Sequence, residues 1–497
     1  MREDVLARLR GRRIHVIGFS GTEGAAVIQF LLDGGITSIT AHDLVTSEEF
    51  PAAFRRYHGW MTPAAQEAAI AQLLTAPIQR RFRERYLEDI ARAEVIYAGQ
   101  AWFRHSENAP VALARDAGAY LSSMTELFFE TVPCPILGVT GTNGKFTVAS
   151  LATDMLAASG RRTLVSGNDR THVPILYRLN EITPEAILVL EISNRQLVGL
   201  RYSPQIAVIT NLAPHHLDDH GSFAGYVRVK AGLLAHQKPG DWAILNADDP
   251  TTWDLAAACR GGVLPFSRLR RVPEGACLVD DEITVRLDGR EDRLCPAAAF
   301  RAPGVHALEN ALASALAARR AGASAAAAAA VLRTFRGLPY RMRLAAEIDG
   351  VRYYEDSLAT NPAAAAAAIR AFDRPLVLIA GGQRYQGGPE DFGPMAAALG
   401  EKVVRAVLLI GAMAPHIATA VAASRISAPV VQCGTLEDAV LRARAIAKPG
   451  DVITLSPGCE SFDQFRDYRE RGDRFLELVS ALAREAGAGA VPGARWS

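Results

Sequence analysis

A glycine-rich loop that ends in a lysine is the stretch of this 497-residue chain with the clearest capacity for chemistry. Residues 136–151 read ILGVTGTNGKFTVASL, an apolar strand followed by a loop and the start of an amphipathic helix. Gly138, Gly141 and Gly144 let backbone N–H groups converge on a polyphosphate. Lys145 can reach the outer phosphates, and the positive end of the helix dipole points at them. The pattern predicts a nucleoside triphosphate site.

The residue after this lysine departs from the usual pattern. Such loops commonly carry Ser or Thr there, whose hydroxyl binds Mg²⁺, and this chain has Phe146. Thr147 comes one position later, about 100° further round a helix, so it cannot simply take over that role. We predict phosphate binding and leave the mode of metal binding open. The alternative is a fortuitous glycine-rich turn.

Three polar clusters come after predicted strands further along the chain. Glu191 ends LVLE, a His/Asp group that includes His216 fills residues 210–220 with Lys230 ten residues later, and Asp356 lies in EDSLATN. A carboxylate and a histidine beside a triphosphate are suitable Mg²⁺ ligands. Each cluster alone is best explained as solvated strand-end polarity, but together they favour a site.

A second glycine turn lies near the start of the chain. RRIHVIGFSGTEGAAVIQF predicts a strand, a turn through Gly18, Gly21 and Gly24, and a helix, with Asp43 ending the next strand. This is a dinucleotide-type start, in which an acidic residue commonly meets a ribose or base. Because the spacing is GxxGxxG rather than GxGxxG, a structural turn without a ligand is an equally good interpretation.

The elements that must position these residues are strands alternating with helices, a pattern that predicts parallel sheets covered on both faces. We predict an α/β protein of three domains: a Rossmann-like N-terminal domain over 1–131, a central P-loop ATPase-type domain with a parallel sheet over 132–342, and a C-terminal Rossmann-like domain over 343–497. Residues 50–92, rich in arginine and aromatic residues, are predicted to form a solvated helical insertion. Residues 268–300 are predicted to form a short β insertion.

Composition favours small-molecule chemistry. There are 54 lysines and arginines against 53 acidic residues, so a nucleic acid is not expected as the main partner. The six cysteines form no CxxC pair, which argues against a zinc site or a disulfide framework. Without a signal peptide or a run of about 18 apolar residues, we expect a cytoplasmic, soluble protein that does not insert into membranes.

The motifs together resemble those of the Mur ligases. GVTGTNGKFT resembles the family's GTNGK(S/T)(S/T) loop, LEISNRQL its LELSSFQL, and TNLAPHHLDDH its TNxxxDHxDxH. HALENAL, LPYRM and DSLATN resemble HNxxNAL, PHR(M/F) and DSKATN, and LSPGCESFDQFRDYRERGDRF resembles the closing LSPACASLDQFxxFxxRGxxF. These matches occur in the family's order from the first glycine turn to residue 475.

The resemblance implies an ATP-dependent amide ligase of peptidoglycan precursor synthesis. Such an enzyme phosphorylates the acceptor carboxylate, and an amino acid amine then attacks the acyl phosphate. The implied acceptor is UDP-N-acetylmuramoyl-L-alanine and the implied amino acid is glutamate, in a monomer that uses ATP and Mg²⁺. Phosphorylation supplies a leaving group, and metal ions, Lys145 and helix N-termini offset the charge repulsion.

Residue roles carry over from the family by matching position. The implied catalytic residues are Lys145, Glu191, His216, Lys230 and Asp356, with Glu191, His216 and a carbamylated Lys230 as metal ligands. The implied ATP-binding residues are Gly141, Thr142, Asn143, Gly144, Lys145, Thr147, Asn310 and Arg341. The implied acceptor-binding residues are Gly18, Thr22, Asp43 and Asn168, and the positions around the incoming glutamate are Thr360, Ser461, Phe462 and Tyr468.

The departures from the family pattern cluster at the catalytic centre. They are Phe146, Asn194, Arg195, His215, Ala307, Tyr340 and Leu358. Two explanations compete. The first is a divergent ligase that uses D-glutamate, L-glutamate, another amino acid or another acceptor. The second is a homologue that binds nucleotide or UDP-sugar without catalysis. The retained lysines and carboxylates favour the ligase, because a pure binding protein has little use for a metal-bridging carbamate. A dehydrogenase based on the first glycine turn would not explain the triphosphate loop.

Overall fold

Three sheets with helices on them make up the computed structural model, which describes residues 1–167, 173–215, 217–383, 391–424 and 426–487. The predicted α/β class, with three parallel-rich sheets, is confirmed. The chain divides into two compact units, one of Met1–Cys295 with Glu309–Val331 and the other of Pro296–Leu308 with Leu332–Ser497. The three predicted domain boundaries stay a prediction. No helix in the described ranges is long and apolar enough to cross a membrane.

The first sheet is fully parallel, in the order β3-β2-β1-β4-β5. Its strands are β1 (Ile14–Ile17), β2 (Ile39–His42), β3 (Gln79–Arg81), β4 (Val95–Ala98) and β5 (Tyr120–Ser122). The helices of this part are α1 (Arg2–Leu9), α2 (Thr22–Asp33), α3 (Phe50–Tyr57), α4 (Pro63–Thr75), α5 (Ala109–Asp116) and α6 (Met124–Thr131). Strand β1 is buried along its whole length, as expected for a central parallel strand.

The segment predicted as a solvated helical insertion is α-helical only to Thr75, and beyond it the described helical residues are two single 3₁₀ turns, Arg83–Arg85 and Ile90–Arg92. The prediction is wrong for Gln79–Arg81, which forms β3. β3 comes next, because its backbone pairs with β2. The helices are not simply solvated either: Phe50 and Phe54 are fully buried, and the Phe50 ring stacks on Phe19 at 4.6 Å between centroids. The aromatic residues thus attach the insertion to the first sheet.

The second sheet has nine strands in the order β14-β13-β12-β11-β10-β9-β6-β8-β7. Its strands are β6 (Ile136–Thr140), β7 (Thr163–Ser166), β8 (Ile187–Glu191), β9 (Ile206–Ile209), β10 (Trp242–Asn246), β11 (Gly262–Ser267), β12 (Gly275–Val279), β13 (Glu282–Leu287) and β14 (Arg290–Pro296). Strands β6 to β12 pair in parallel, and β13 is antiparallel to β12. The last three strands are the predicted β insertion.

The helices of this part of the chain carry Lys145, Thr147, Lys230 and Asn310 of the candidate site. They are α7 (Lys145–Ala158), α8 (Asn194–Leu197), α9 (Leu217–His220), α10 (Phe223–Ala231), α11 (Pro250–Trp253), α12 (Val305–Arg320) and α13 (Ala325–Thr334). Strand β6 lies between β8 and β9, so the loops at the carboxyl ends of these three parallel strands meet at one edge of the sheet.

The third sheet has the order β15-β16-β20-β17-β18-β19 and is parallel except for β15. Its strands are β15 (Arg343–Ile348), β16 (Val351–Glu355), β17 (Leu376–Gly381), β18 (Val404–Ile410), β19 (Val430–Gly434) and β20 (Val452–Leu455). Its helices are α14 (Pro362–Arg370), α15 (Gly393–Gly400), α16 (Ala414–Ala423), α17 (Leu436–Ile446) and α18 (Tyr468–Glu485). Apolar cores cover both faces.

Candidate active site

The glycine loop joins β6 to α7, and its backbone fits only glycine at two positions. Gly141 and Gly144 have φ angles of 145° and 82°, values that other residues rarely adopt. A Cβ on Gly141 would lie 2.0 Å from the Thr210 hydroxyl oxygen, and one on Gly144 would lie 2.1 Å from Oδ1 of Asn310. The loop is therefore a close-packed cradle, and Asn310 of α12 is part of its wall.

Residues after β9 hold this loop. The backbone N–H of Thr142 donates to the Asn211 carbonyl at 2.8 Å, and that of Asn143 donates to Asn211 Oδ1 at 3.0 Å. The Thr210 hydroxyl donates to the Asn143 carbonyl at 2.5 Å. The cradle is thus fixed by neighbours some 70 residues away in sequence, as a preorganised phosphate site requires.

The first side chains of α7 are Lys145, Phe146 and Thr147. Lys145 Nζ donates to the Thr142 carbonyl at 3.0 Å, so the lysine curls over its own loop. Phe146 and Thr147 are both half-buried. The Thr142 hydroxyl lies 3.2 Å from both the Ala213 carbonyl and the Tyr226 hydroxyl. The hydroxyl groups of Thr142, Thr210 and Tyr226 thus lie at the loop, although none comes directly after the lysine.

Lys230 of α10 lies beneath the loop and is almost fully buried, with 1% of its surface exposed. Its Nζ donates to the Thr140 hydroxyl at 2.8 Å, and that hydroxyl donates to the Ile192 carbonyl at 2.7 Å. Burial holds the pKa of Lys230 well below its ordinary value; the ammonium of Lys145 lowers it further, while the Glu191 carboxylate raises it. Lys145, Glu191 and Lys230 thus form one electrostatic cluster.

The histidines of the TNLAPHHLDDH motif approach the same cluster in part. Partial burial lowers the pKa of His215, and the charges of Lys145 and Lys230 lower it further. His220 Nε2 lies 2.8 Å from Nδ2 of Asn194. His216, the predicted metal ligand, lies outside the described residues. In the described ranges no three His, Cys, Asp or Glu side chains are grouped to hold a metal ion.

A cavity of about 460 Å³ opens at the carboxyl ends of the first sheet's strands. The predicted acceptor-binding residues Gly18, Thr22 and Asp43 line it, whereas Asn168 lies outside the described residues. Asp43 Oδ2 accepts from the Ser20 N–H at 2.7 Å, and burial raises the pKa of this carboxyl. The structure thus brings these three residues to one cavity, and their role in binding stays a prediction.

Part of the cavity wall comes from residues that follow β8 of the second sheet. Ser193 and Gln196 form a capping box that begins α8, and the Ser193 hydroxyl donates to Oε1 of Gln100 at 2.8 Å. Gln100, Arg195 and Gln196 all line the cavity. Residues from both sheets therefore build this cavity.

In the third sheet, Asp356 comes directly after β16 and is buried. It accepts from the Ser456 hydroxyl at 2.6 Å and from the Met342 N–H at 3.1 Å. Burial raises the pKa of Asp356 to about 7, while the hydrogen bonds and the charge of Arg341 oppose that rise. The joint role of Asp356 and Arg341 stays a prediction.

The predicted amino-acid-binding residues lie on loops of this sheet and at the start of α18. Ser461 is fully buried, and its hydroxyl has no hydrogen-bond partner among the described residues. Phe462 is 59% exposed. Tyr468 begins α18 and packs edge-to-face against Tyr340 at 5.7 Å between ring centroids. The N–H of Thr360 donates to the Leu358 carbonyl. A shared amino acid pocket stays a prediction.

Comparison with known proteins decides the family. Residues 139–318 match the Mur ligase middle domain, and residues 340–459 match the Mur ligase glutamate ligase domain. A UDP-N-acetylmuramoylalanine-D-glutamate ligase of Symbiobacterium thermophilum is 37% identical over 474 residues, which cover 95% of this chain and 98% of that protein. The chain belongs to the Mur ligase family.

Two further similarities, one in sequence and one in structure, agree with membership of the Mur ligase family. The UDP-N-acetylmuramoylalanine-D-glutamate ligase of Pelotomaculum thermopropionicum is 38% identical, covering 76% of this Mur ligase and 81% of that protein. The solved structure of a UDP-N-acetylmuramate-alanine ligase from Thermotoga maritima has a TM-score of 0.51 at 16% identity, covering 95% and 100% of the two chains. The structural similarity bears on the fold alone.

Some well-placed residues of this Mur ligase were missed by sequence reasoning. Arg471 of α18 is 1% exposed, and its guanidinium donates to the Ser357 hydroxyl at 2.8 Å and to the Cys459 carbonyl at 3.1 Å. It thereby ties the loop after β16 to the loop after β20. Tyr226, described above, and the cavity residues Tyr57 and Trp102 were missed as well. The quoted motifs contain Arg471, but sequence alone does not show that an arginine is buried.

Proposed function

We propose that this Mur ligase is an ATP-dependent UDP-N-acetylmuramoyl-L-alanine:D-glutamate ligase that acts through an acyl phosphate. The names of its relatives and the glutamate ligase domain match support this substrate pair. In that role the enzyme would work in the cytoplasm on a peptidoglycan precursor, and so serve cell wall growth, cell shape and cell division.

The observation that carries the proposal is the short path from the cavity to the glycine loop. Glu191 ends β8 and pairs with Val139 of β6, the strand that leads into the loop. Arg195 and Gln196 come within five residues of Glu191 and line the cavity. A nucleotide sugar whose base end lies by the first glycine turn would therefore extend its acyl end towards the phosphates of ATP.

The chain's own residues would divide the work of phosphoryl transfer. The Gly141–Gly144 cradle would hold the phosphates, and Lys145 would swing from the Thr142 carbonyl to neutralise them. Mg²⁺, arriving with ATP, would neutralise phosphate charge and polarise the transferred group. The predicted ligands fit such an ion if Lys230 is carbamylated. The carbamate and Glu191 would then supply oxygen ligands, and His216 would supply an imidazole nitrogen. A buried amine is suited to that modification because its neutral form adds CO₂.

The last domain would bring the amino acid. Arg341, Asp356 and Thr360 would close on the nucleotide, and closure would exclude water from the acyl phosphate. The positions of Ser461, Phe462 and Tyr468 would surround the incoming glutamate, as the family resemblance implies.

A second candidate is a ligase of the same type with another amino acid. Leu358 is 37% exposed in the position where the family motif has a lysine. A leucine cannot donate to a carboxylate or a phosphate, and loss of one such contact typically costs a few kcal/mol. The amino acid or the transferred phosphoryl group would then be held differently.

The test is phosphate release from ATP and Mg²⁺ with UDP-N-acetylmuramoyl-L-alanine, with D-glutamate, L-glutamate or another amino acid in separate reactions. Release that depends on D-glutamate, with the amide product seen by mass spectrometry, is the expected result. Release that depends on a different amino acid would support the second candidate. If every reaction is silent while ATP or a UDP-sugar still binds, the protein binds without catalysing and the ligase proposal fails.

A further inference from the structure

The cavity of about 460 Å³ is the acceptor site of the proposed function, and its described lining carries two acidic side chains and one arginine. Glu23 and Asp43, both from the first sheet's side, line it. Glu23 Oε2 accepts from the N–H of Gln100 at 2.7 Å, and burial raises the pKa of this carboxyl to about 7. Among the described residues that line the cavity, Arg195 is the one lysine or arginine. The positive charge of the described wall is thus concentrated at a single side chain of α8.

The Arg195 side chain is held by an ion pair with Asp219. Its Nε donates to Oδ2 of Asp219 at 2.8 Å, and the Asp219 side chain is only 1% exposed. Oδ1 of the same carboxylate lies 2.9 Å from Nε of Arg104, which belongs to the segment after β4. The Arg195 side chain keeps 27% of its surface exposed. A buried carboxylate shared by two guanidinium groups fixes the direction of Arg195 while leaving part of it accessible.

A nucleotide sugar that ends in an acyl carboxylate carries negative charge at its diphosphate and at its carboxylate. A wall that offered it only carboxyl groups would repel it, and a preorganised guanidinium is the side chain best suited to bind phosphate or carboxylate oxygens. The family motif has phenylalanine where this chain has Arg195, so this charge is a feature of the present chain.

We propose that Arg195 is an acceptor-specificity residue whose guanidinium pairs with an anionic oxygen of the nucleotide sugar, in either its diphosphate or its acyl carboxylate, and that Asp219 is its positioning residue. The inference rests on the proposed function, because it names the contact by which the same cavity would recognise its acceptor.

The experiment is calorimetric binding of UDP-N-acetylmuramoyl-L-alanine to the full-length wild type, Arg195→Gln and Asp219→Asn. Arg195→Gln should weaken binding by about 10- to 100-fold, the usual effect of losing one charged contact. Asp219→Asn should weaken it less, because the arginine remains but loses its anchor. ATP binding should not change in either variant. The matched control is Arg115→Gln, which removes an exposed arginine paired with its neighbour Asp116.

A second ligand identifies the anionic group. UDP-N-acetylglucosamine carries the diphosphate and a sugar but no carboxylate. If Arg195→Gln weakens the binding of both ligands, the diphosphate is the partner. If it weakens only the muramoyl-alanine ligand, the carboxylate is the partner. Steady-state kinetics should agree, with a raised KM for the acceptor and little change in the KM for ATP.

The outcomes separate this inference from the function on which it rests. If the wild type binds the acceptor and a folded Arg195→Gln binds it equally well, Arg195 is only a structural tie and the inference is wrong, while the proposed function stands. If the wild type itself does not bind the acceptor, both fail. Should Arg195→Gln not fold, the same comparison applies to Arg195→Lys, which keeps a charge at Asp219 but loses the guanidinium fork and should bind several-fold more weakly.

Discussion

At the scale of single residues, the packing around Gly144 gives a sharp test of the phosphate cradle. We expect Gly144→Ala to weaken ATP binding strongly and to destabilise the fold by on the order of 1–3 kcal/mol, since it combines an unfavourable φ with a clash against Asn310. ATP binding by calorimetry and the midpoint of thermal unfolding check this.

The control for that substitution lies at the other end of α7. Gly160 also has a positive φ, 75°, but a Cβ there would meet nothing within 4 Å. Gly160→Ala should therefore show a stability loss from backbone strain alone and normal ATP binding. Equal ATP affinity in both variants would mean that the Gly144 cradle does not hold the nucleotide.

Lys230 provides a second test at this scale. Lys230→Met keeps the volume and the apolar stem but removes the amine that donates to Thr140, so the fold should survive while turnover falls by roughly 100-fold or more. Phosphate release checks this, and the exposed Lys238→Met is the control. Wild-type activity should also fall in CO₂-depleted buffer and return with bicarbonate. Full activity of a folded Lys230→Met would rule out the carbamate.

At the scale of elements, a buried carboxylate joins α6 to the segment after α8. Glu126 has a 3% exposed side chain and accepts from Nε and the backbone N–H of Arg201, both at 3.0 Å. The Ser122 hydroxyl also donates to it at 2.9 Å. This network connects the end of β5 and the start of α6 to the segment between α8 and β9.

We expect Glu126→Ala to lower the free energy of unfolding by on the order of 1–3 kcal/mol, because it leaves hydrogen-bond donors unpaired. The effect is limited by the 43% exposure of Arg201, which can regain water. The midpoint of chemical unfolding measures it. Glu67→Ala, which breaks an exposed pair with Arg55, is the control and should cause no measurable change. Equal midpoints for Glu126→Ala and Glu67→Ala would show that the link contributes little.

At the scale of the whole molecule, two buried histidines should make stability depend on pH. The N–H of Leu87 donates to Nδ1 of His42, so His42 must carry its proton on Nε2, which lies 2.8 Å from Nδ1 of His15. Burial lowers the pKa of His15 to about 4 and that of His42 to about 3. Both rings are therefore neutral in the folded protein.

The sign of the pH effect is set by these values. An unfolded histidine has a pKa of about 6.5, so the unfolded chain binds protons below that pH while the folded protein does not until about pH 4. Stability should be fully present well above pH 6.5 and fall as the pH drops towards 4, by about 2 kcal/mol per histidine at pH 5.

Thermal unfolding at pH 7 and pH 5 checks this prediction. His15→Gln should show a smaller loss between the two pH values than the wild type, because it removes one of the two titrating groups. The exposed His236→Gln should keep the wild-type loss. A pH dependence unchanged by His15→Gln would assign the acid sensitivity to other groups.

The sequence alone determined the α/β class, the glycine loop and the family. These signals are local: a buried parallel strand needs an apolar run, the cradle needs glycine at Gly141 and Gly144, and the family motifs are short contiguous stretches. The 50–92 segment shows the limit of local reading, because its helical pattern did not reveal that Gln79–Arg81 would pair with β2.

Only the tertiary structure decided which distant residues meet. Lys230 contacts Thr140 across 90 residues of sequence, and Asp219 joins Arg195 of α8 to Arg104, which follows β4 of the first sheet. Residues after β8 complete the cavity at the first sheet. A hydrogen bond joins the His15 and His42 rings, which a strand pattern cannot show. Such contacts depend on sheet order and on the packing of several elements at once, so they exist only when the whole chain is folded.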